Sequence, residues 1–348
     1  MGTLANNSTQ LTISAQPQGP QPSQSNWARR MAGKATRPVR QWAWEAGHVM
    51  RWGRPSLVVT YGDGFGDHLL CTSIFREMRK RGQSGLWMMS GHPPLFEGNT
   101  DVDAVVPRDW RYPVLAKRWG GKSVMPDYAT IIEAEDRSVP PKRHIISCMC
   151  MRSGITGEVS LRPYMHLTPE EKTGGQLAAR QIAIQSSILS ATMPIKNKEW
   201  KPERFQQVVN SLRHAYTFVQ VGSKNDPQLE GVIDMRGKTT IRQTAAIMSQ
   251  SLVFVGLVGF LMHLARAVDC RSVIVFGGRE APWQSGYSCN ENIFTPLACS
   301  PCWLWSRCDH GHKCMNDIDA GRVTRAVQSQ IDAAGEPLAV DVDVLPAV

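Results

Sequence analysis

Residues 58–71, Val-Val-Thr-Tyr-Gly-Asp-Gly-Phe-Gly-Asp-His-Leu-Leu-Cys, carry a β-branched run across three glycines into an apolar run with helical spacing. Such a segment reads as strand, tight loop and helix start. Gly62, Gly64 and Gly66 let the backbone take positive φ and let a ligand approach closely. The amides opening the helix near Asp67 would offer an anion the positive end of the helix dipole. Neither of two familiar phosphate loops fits. A P-loop closes on Gly-Lys-Ser/Thr, and a dinucleotide fingerprint wants a third glycine three positions after the second; Asp67 stands in both places. A carboxylate in the mouth of an anion loop repels phosphate, so Asp67 either performs chemistry or caps the helix.

At 348 residues the chain is long for one core and suits two domains, and its 42% hydrophobic and 20% charged content describes a soluble globular protein. The net charge of +9 points to nucleic acid only until its location is considered. Up to Ser56 there are seven cations (Arg29, Arg30, Lys34, Arg37, Arg40, Arg51, Arg54) against Glu45 alone, so +6 of the +9 lies there. Trp27, Trp42, Trp44 and Trp52 share this segment, which follows a Gln/Ser/Pro/Asn-rich stretch, residues 6–26, too polar to pack. A disordered leader running into a basic, tryptophan-bearing arm suits the anionic inner face of a membrane, or lies solvated on the body. No nucleic-acid module can be read, so no nucleic-acid partner is expected. No charged n-region precedes an apolar core, which predicts a cytoplasmic protein. The most apolar stretch, residues 252–267, is interrupted by His263 and Arg266 and is too short to span a bilayer; it reads as buried strand and then helix.

Beyond the glycine loop the spacing predicts a helix over 69–81 and strands at 86–89, 104–106 and 128–132. Residues 152–165 are poorly patterned and are expected to hold part of the crossing between two halves. A second series follows: strand 187–191, helix 203–215, strand 217–221, helix 241–250, strand 252–255, helix 261–268 and strand 272–276, with a closing helix over 320–334. Strands alternating with helices indicate parallel sheets. The fold class is therefore α/β, two doubly wound Rossmann-like sheets facing each other, with ligands expected beyond the carboxyl ends of the strands. The loop 62–67 and the turn after Val255 would both face the cleft.

In order along the chain, GDGFGDHLLCTSIFREMRKRG, PPLFEGNTDVDAVV, KNKEWKPERFQQVV, DMRGKTTIRQTAAIMSQS and VGLVGFLMHLARAV resemble segments of the heptosyltransferase family of bacterial lipopolysaccharide synthesis, the family 9 glycosyltransferases of GT-B fold. The resemblance covers about residues 57–323. It implies an inverting transfer of a sugar, with ADP-heptose among the candidate donors, to a glycan, lipid-linked or protein hydroxyl. It also implies an N-terminal acceptor domain (56–175) after the arm (1–55), a C-terminal nucleotide-sugar domain (176–335) and a tail (336–348). No cofactor is required for such a transfer. Asp67 matches the family's base and Lys198 its phosphate-binding lysine. Gly64, Gly66, Gly222, Gly259, Phe260, Leu261 and His263 fall at substrate- or donor-binding positions. One departure is large: where the family has Asp-Ser-Gly or Asp-Thr-Gly, this chain reads Val258-Gly259-Phe260. Carboxylate and hydroxyl are both gone, so the donor differs, or the protein is a catalytically silent GT-B scaffold. A nucleotide-sugar epimerase or another dinucleotide enzyme is disfavoured by the failed fingerprint at 62–67.

Four of the nine cysteines, Cys299, Cys302, Cys308 and Cys314, fall in one short loop, with His310 and His312 between the last two. In a reducing compartment this density favours metal over disulfide. Zinc or iron on four thiolates would pin the loop structurally and leave no open site for catalysis; reduced, metal-free thiols are the alternative. Cys71, Cys148, Cys150, Cys270 and Cys289 read as buried small hydrophobes.

Overall fold

The computed structural model describes residues 39–347 except Thr192. The described residues fall into two units, divided between Arg51 and Trp52. In the first, residues 39–51 belong to a helical run that extends to 52 (α1), where Gln41 donates to Glu45 (2.9 Å) and the His48 ring bonds the Trp44 carbonyl (2.7 Å). Val39, Trp42 and Met50 are exposed. The expected leader and the first part of the basic arm, with Trp27, Arg29, Arg30, Lys34 and Arg37, lie outside the described residues.

The second unit holds two parallel sheets. The first is ordered β3-β2-β1-β4, from β1 (Leu57–Thr60), β2 (Leu86–Met89), β3 (Ala104–Val106) and β4 (Lys122–Val124). The connecting helices are α2 (Phe65–Lys80) and α3 (Arg111–Arg118). Helix α2 forms because apolar residues recur on one face, burying Leu69, Leu70, Ile74, Phe75 and Met78. Arg79 and Lys80 in its last turn complement the dipole, and Gly82, at φ +74°, lets the chain leave.

The second sheet is ordered β10-β9-β8-β11-β12-β13. Its strands are β8 (Gln181–Ile184), β9 (Thr217–Gln220), β10 (Ile233–Asp234), β11 (Phe254–Leu257), β12 (Ser272–Gly277) and β13 (Glu291–Phe294). β8, β11 and β12 are buried along their whole length, as parallel strands covered on both faces must be. Helices α6 (Pro202–Leu212), α7 (Ile241–Ser249) and α8 (Phe260–Ala267) make the crossings, and α11 (Ala320–Asp332) packs on β12. Short helices α9 (Pro282–Ser285) and α10 (Lys313–Asn316) flank β13 and the cysteine loop. Sequence-local rules set the helix starts: Thr240 and Gln243 form a capping box on α7, and Asp319 accepts from the Arg322 amide at the start of α11 (2.8 Å). The observed class is the expected one, two doubly wound α/β sheets.

Three readings of the sequence need correction. The first strand of the second series is Gln181–Ile184, not 187–191; Ser187 instead uses its hydroxyl to accept from the Leu189 amide (3.1 Å), a local bond that competes with a ladder. The run 128–132 does not join the parallel sheet. Its residues Thr130–Ile132 (β5) pair antiparallel with Arg137–Val139 (β6), while the short, half-exposed edge strand β4 takes the fourth place. The stretch 152–165, where α4 (Ile145–Arg152) ends and β7 (Gly157–Ser160) lies, holds the first part of the crossing that leads to α5 (Pro169–Gly174), as expected. Cys148 is only half-buried, whereas Cys71, Cys150, Cys270 and Cys289 are buried as read. Past α11, β14 (Val342–Leu345) pairs antiparallel with β7, and Arg143 pairs with Asp343 (2.8 Å).

Candidate functional site

In doubly wound sheets a crevice opens where strand order reverses. In the first sheet that point lies between β1 and β4, and in the second between β8 and β11. The chain leaving β1 is the glycine loop, and the chain leaving β11 is Val258-Gly259-Phe260. The starts of α2 and α8 pack against each other: a Cβ on Gly66 would lie 3.7 Å from Phe260 Cα and 3.8 Å from His263 Cδ2. The Phe65 and Phe260 rings are 5.5 Å apart, and Phe65 also packs on His92 (4.1 Å).

Gly64 is the N-cap of α2 and Asp67 lies in its first turn, so the reading of Asp67 as the cap residue is replaced. The Asp67 carboxylate folds back so close to Gly64 that any side chain at 64 would collide with it, which accounts for that glycine. Tyr128 donates its hydroxyl to Asp67 Oδ1 (3.1 Å). Burial pushes Asp67 up to about 6; the Tyr128 bond and the charge of Lys198 pull it back, and Asp127 adds to the rise. The Tyr128 hydroxyl is in turn held well above its ordinary value by the Asp67 charge and by burial. Gly62 serves the loop through its carbonyl, which bonds His68 Nε2 (2.6 Å), while His68 Nδ1 bonds Ser90 (2.8 Å).

Across from Asp67, Lys198 is buried and paired with Glu280, which Arg279 also meets at 2.5 Å and to which Ser285 donates (2.6 Å). Burial would raise Glu280, but Lys198 and Arg279 outweigh it and hold the carboxyl down at about 2. Burial pulls Lys198 below its ordinary value while Glu280 holds it up. Two cations on one anion leave this cluster with a net positive charge facing Asp67. His263 is buried against Tyr287, ring nitrogen to hydroxyl 2.6 Å; burial, then the nearby His144, depress it to about 3, so it is a neutral hydrogen-bonding residue.

Gly259 caps α8 with extended backbone, and a Cβ there would lie 2.9 Å from the terminal methyl of Ile188. Leu261 packs against the core. Gly222 ends β9 at φ +134° in a turn closed by the Asp226 carboxylate, which accepts from the Ser223 amide (2.9 Å). The structure thus gathers Asp67, Lys198, Gly64, Gly66, Gly259, Phe260 and His263 around the crevice and leaves Gly222 in a turn of its own. The sequence reading missed Tyr128, Arg279 and Glu280. The last two follow Gly277 at the carboxyl end of β12, where the strand-end rule could have found them.

Cys299, Cys302, Cys308 and Cys314 line one cavity of about 70 Å³ together with His310 and His312. All four thiols are free, and burial, first of all, raises Cys302 and Cys314. Among the described residues, no group of three or more His, Cys, Asp or Glu side chains is arranged to hold a metal ion. The loop is tied instead by Asn197, which donates to the Leu304 and Arg307 carbonyls (3.2 and 2.9 Å) and bonds the His312 ring (2.9 Å).

Among the described residues no helix is long and apolar enough to cross a membrane. At the level of sequence, no family model and no curated protein matches the chain. Solved structures do match its fold. A family 9 glycosyl transferase from Veillonella parvula aligns at TM-score 0.58 and 16% identity, over 80% of this chain and 97% of that one. The ADP-heptose lipopolysaccharide heptosyltransferase II of Escherichia coli aligns at 0.58 and 15%, over 79% and 98%. The iron-containing dodecameric glycosyltransferase TibC of enterotoxigenic E. coli aligns at 0.62 and 16%, over 80% and 76%. The described chain therefore shares the GT-B fold of these family 9 glycosyltransferases and heptosyltransferases.

Proposed function

We propose that this chain is an inverting glycosyltransferase that moves a sugar, with heptose the leading candidate, from a nucleoside diphosphate to a hydroxyl of a lipopolysaccharide, glycan or protein acceptor. The observation that carries the reading is Asp67, a carboxyl pushed up to about 6 and aligned by Tyr128 at one strand-order reversal, opposite the positive Lys198–Glu280–Arg279 cluster. Ionised Asp67 takes the proton of the acceptor hydroxyl. The freed oxygen bonds to the anomeric carbon as the bond to the diphosphate breaks, and that electron pair leaves with the diphosphate. Lys198, Arg279 and the amides opening α8 stabilise the charge that develops there. The solved neighbours support a nucleotide-sugar donor, since one is an ADP-heptose heptosyltransferase and TibC was solved with ADP-D-β-D-heptose.

The test is a titration with nucleoside diphosphates and nucleotide sugars, read as the shift in thermal midpoint, because a ligand of the native state raises it by mass action. One preferred nucleotide, followed by transfer from its sugar, is expected. Val258-Gly259-Phe260 favours the second reading, a scaffold without transfer; stabilisation by no member of the panel would select it.

The cysteine loop is proposed as a structural zinc or iron site. Four thiols lining one cavity is a donor set suited to either metal, and the neighbour TibC is iron-containing. Elemental analysis should find about one metal per chain, lost in Cys302→Ser. For α1, exposed Val39, Trp42 and Met50 beside Arg40 support contact with an anionic membrane, to be read by sedimentation with phosphatidylserine vesicles.

A further inference from the structure

A cavity of about 300 Å³ opens behind the crevice, where the crossing segment 161–168 passes between the two sheets. Arg76 on α2, Arg162, Tyr164 and His166 on the crossing, Lys172 on α5 and Asp269 after α8 face it. It is separate from the site at Asp67. Arg76 lies nine residues further along α2 than Asp67, about 13 Å along the axis at ~1.5 Å per residue.

The lining is positive and incompletely satisfied. Three cations, Arg76, Arg162 and Lys172, meet two carboxylates, Asp269 in the lining and Asp101 behind Arg76. Arg76 spends its Nε on Asp101 (2.5 Å) and Arg162 one terminal nitrogen on Asp269 (2.5 Å), which leaves both guanidiniums with donors to spare. The two guanidiniums lie over the same Tyr164 ring, at 4.0 and 5.0 Å, so stacking fixes their planes at the cavity wall. Arg162 Nε and His166 Nε2 are buried and have no hydrogen-bond partner. A buried nitrogen without a partner is costly, and an acceptor oxygen entering the cavity would remove that cost. Lys172 stands exposed at the mouth, while Met165 and Ala267 supply an apolar floor. We infer that this cavity binds a phosphate monoester, its dianion held by Arg76, Arg162, His166 and Lys172 and its organic part resting on the apolar floor. The surplus of positive charge and the spare guanidinium donors favour an anion, and the volume exceeds what inorganic phosphate alone would fill. Because the lining comes from α2, the crossing and the end of α8, an occupant touches both halves of the fold.

Calorimetry on the full chain with glucose 6-phosphate at low salt tests this, beside wild-type-like controls. Saturable binding is expected, weakened about tenfold by Lys172→Gln, which is exposed and leaves the fold undisturbed, and more by Arg162→Gln. Lys198→Ala should leave it unchanged, since that residue belongs to the crevice. Sedimentation with phosphatidic acid vesicles, lost in Lys172→Gln while glucose 6-phosphate fails to bind, would keep the site and assign it to a lipid headgroup. Absence of both, or binding lost in Lys198→Ala and kept in Lys172→Gln, would overturn the inference.

Discussion

The chain leaving β1 ends in a carboxylate, Asp67, whereas the chain leaving β11 reads Val258-Gly259-Phe260 and offers amides and an aromatic ring. Both occupy the reversal point of a doubly wound sheet, and their helices start side by side. The contrast separates two tasks that a single loop cannot combine. A group that must accept a proton near neutrality needs burial and few cations in contact, which is what raises Asp67. In the proposed transfer, the group that holds the leaving anion needs the opposite, and the nearby cations, Lys198 and Arg279, lie off the loop, both paired with Glu280.

The largest break of this comparison is Asp67→Asn, expected to lower transfer about 10²- to 10⁴-fold with the fold intact; near-normal kcat would remove Asp67 as base. Its stability should move the other way. The folded pKa of about 6 lies above the 3.8 of an unperturbed aspartate, so the proton stabilises the fold fully below pH about 4, and this is lost as pH rises through about 6. At pH 7.5 Asp67→Asn should therefore gain up to about 3 kcal/mol in urea unfolding, a gap that closes toward pH 4. Next is Lys198→Ala, which leaves Glu280 with Arg279 alone. Nucleotide affinity should fall tenfold or more, and stability by about 3 kcal/mol, as when a buried pair loses one member. Unchanged affinity would take Lys198 out of phosphate binding.

Transfer by the wild-type chain should rise with pH through about 6 and then level, the ionised carboxylate being the working form. Tyr128→Phe sharpens this point, because its hydrogen bond lowers Asp67; without it the midpoint should shift upward. An unshifted midpoint would reduce Tyr128 to packing. The smallest effect is expected of Phe260→Ala, about 1 kcal/mol for the lost stack on Phe65. If that variant also changes which nucleotide sugar binds, the second loop sets donor choice.

Much of the fold was legible because long buried strands and amphipathic helices announce themselves: strands β9, β11 and β12, and helices α2, α7 and α8, lie within a few residues of where periodicity puts them. What escaped was short or polar. Lys122–Val124 is three residues on an exposed edge, and its place depends on pairing with β1 rather than on its own composition. The site divides in the same way. Asp67 stood out by interrupting a glycine pattern, while Tyr128, read as the start of a strand, sits in a bend and reaches Asp67 from 61 positions away. Glu280 gains its meaning only from two cations that folding brings to it.

The return of β14 to β7 has a mechanical consequence. The chain passes between the halves twice, once through residues 161–168 and once through 333–341 on the way to the last strand, with Arg266 anchoring the second passage through the Ala339 carbonyl (3.0 Å). A door hung on two pins swings about the line through them and resists twisting about any other. Two connections between the halves therefore leave a single line about which one half turns on the other, and Asp67 and Lys198 sit on opposite sides of it.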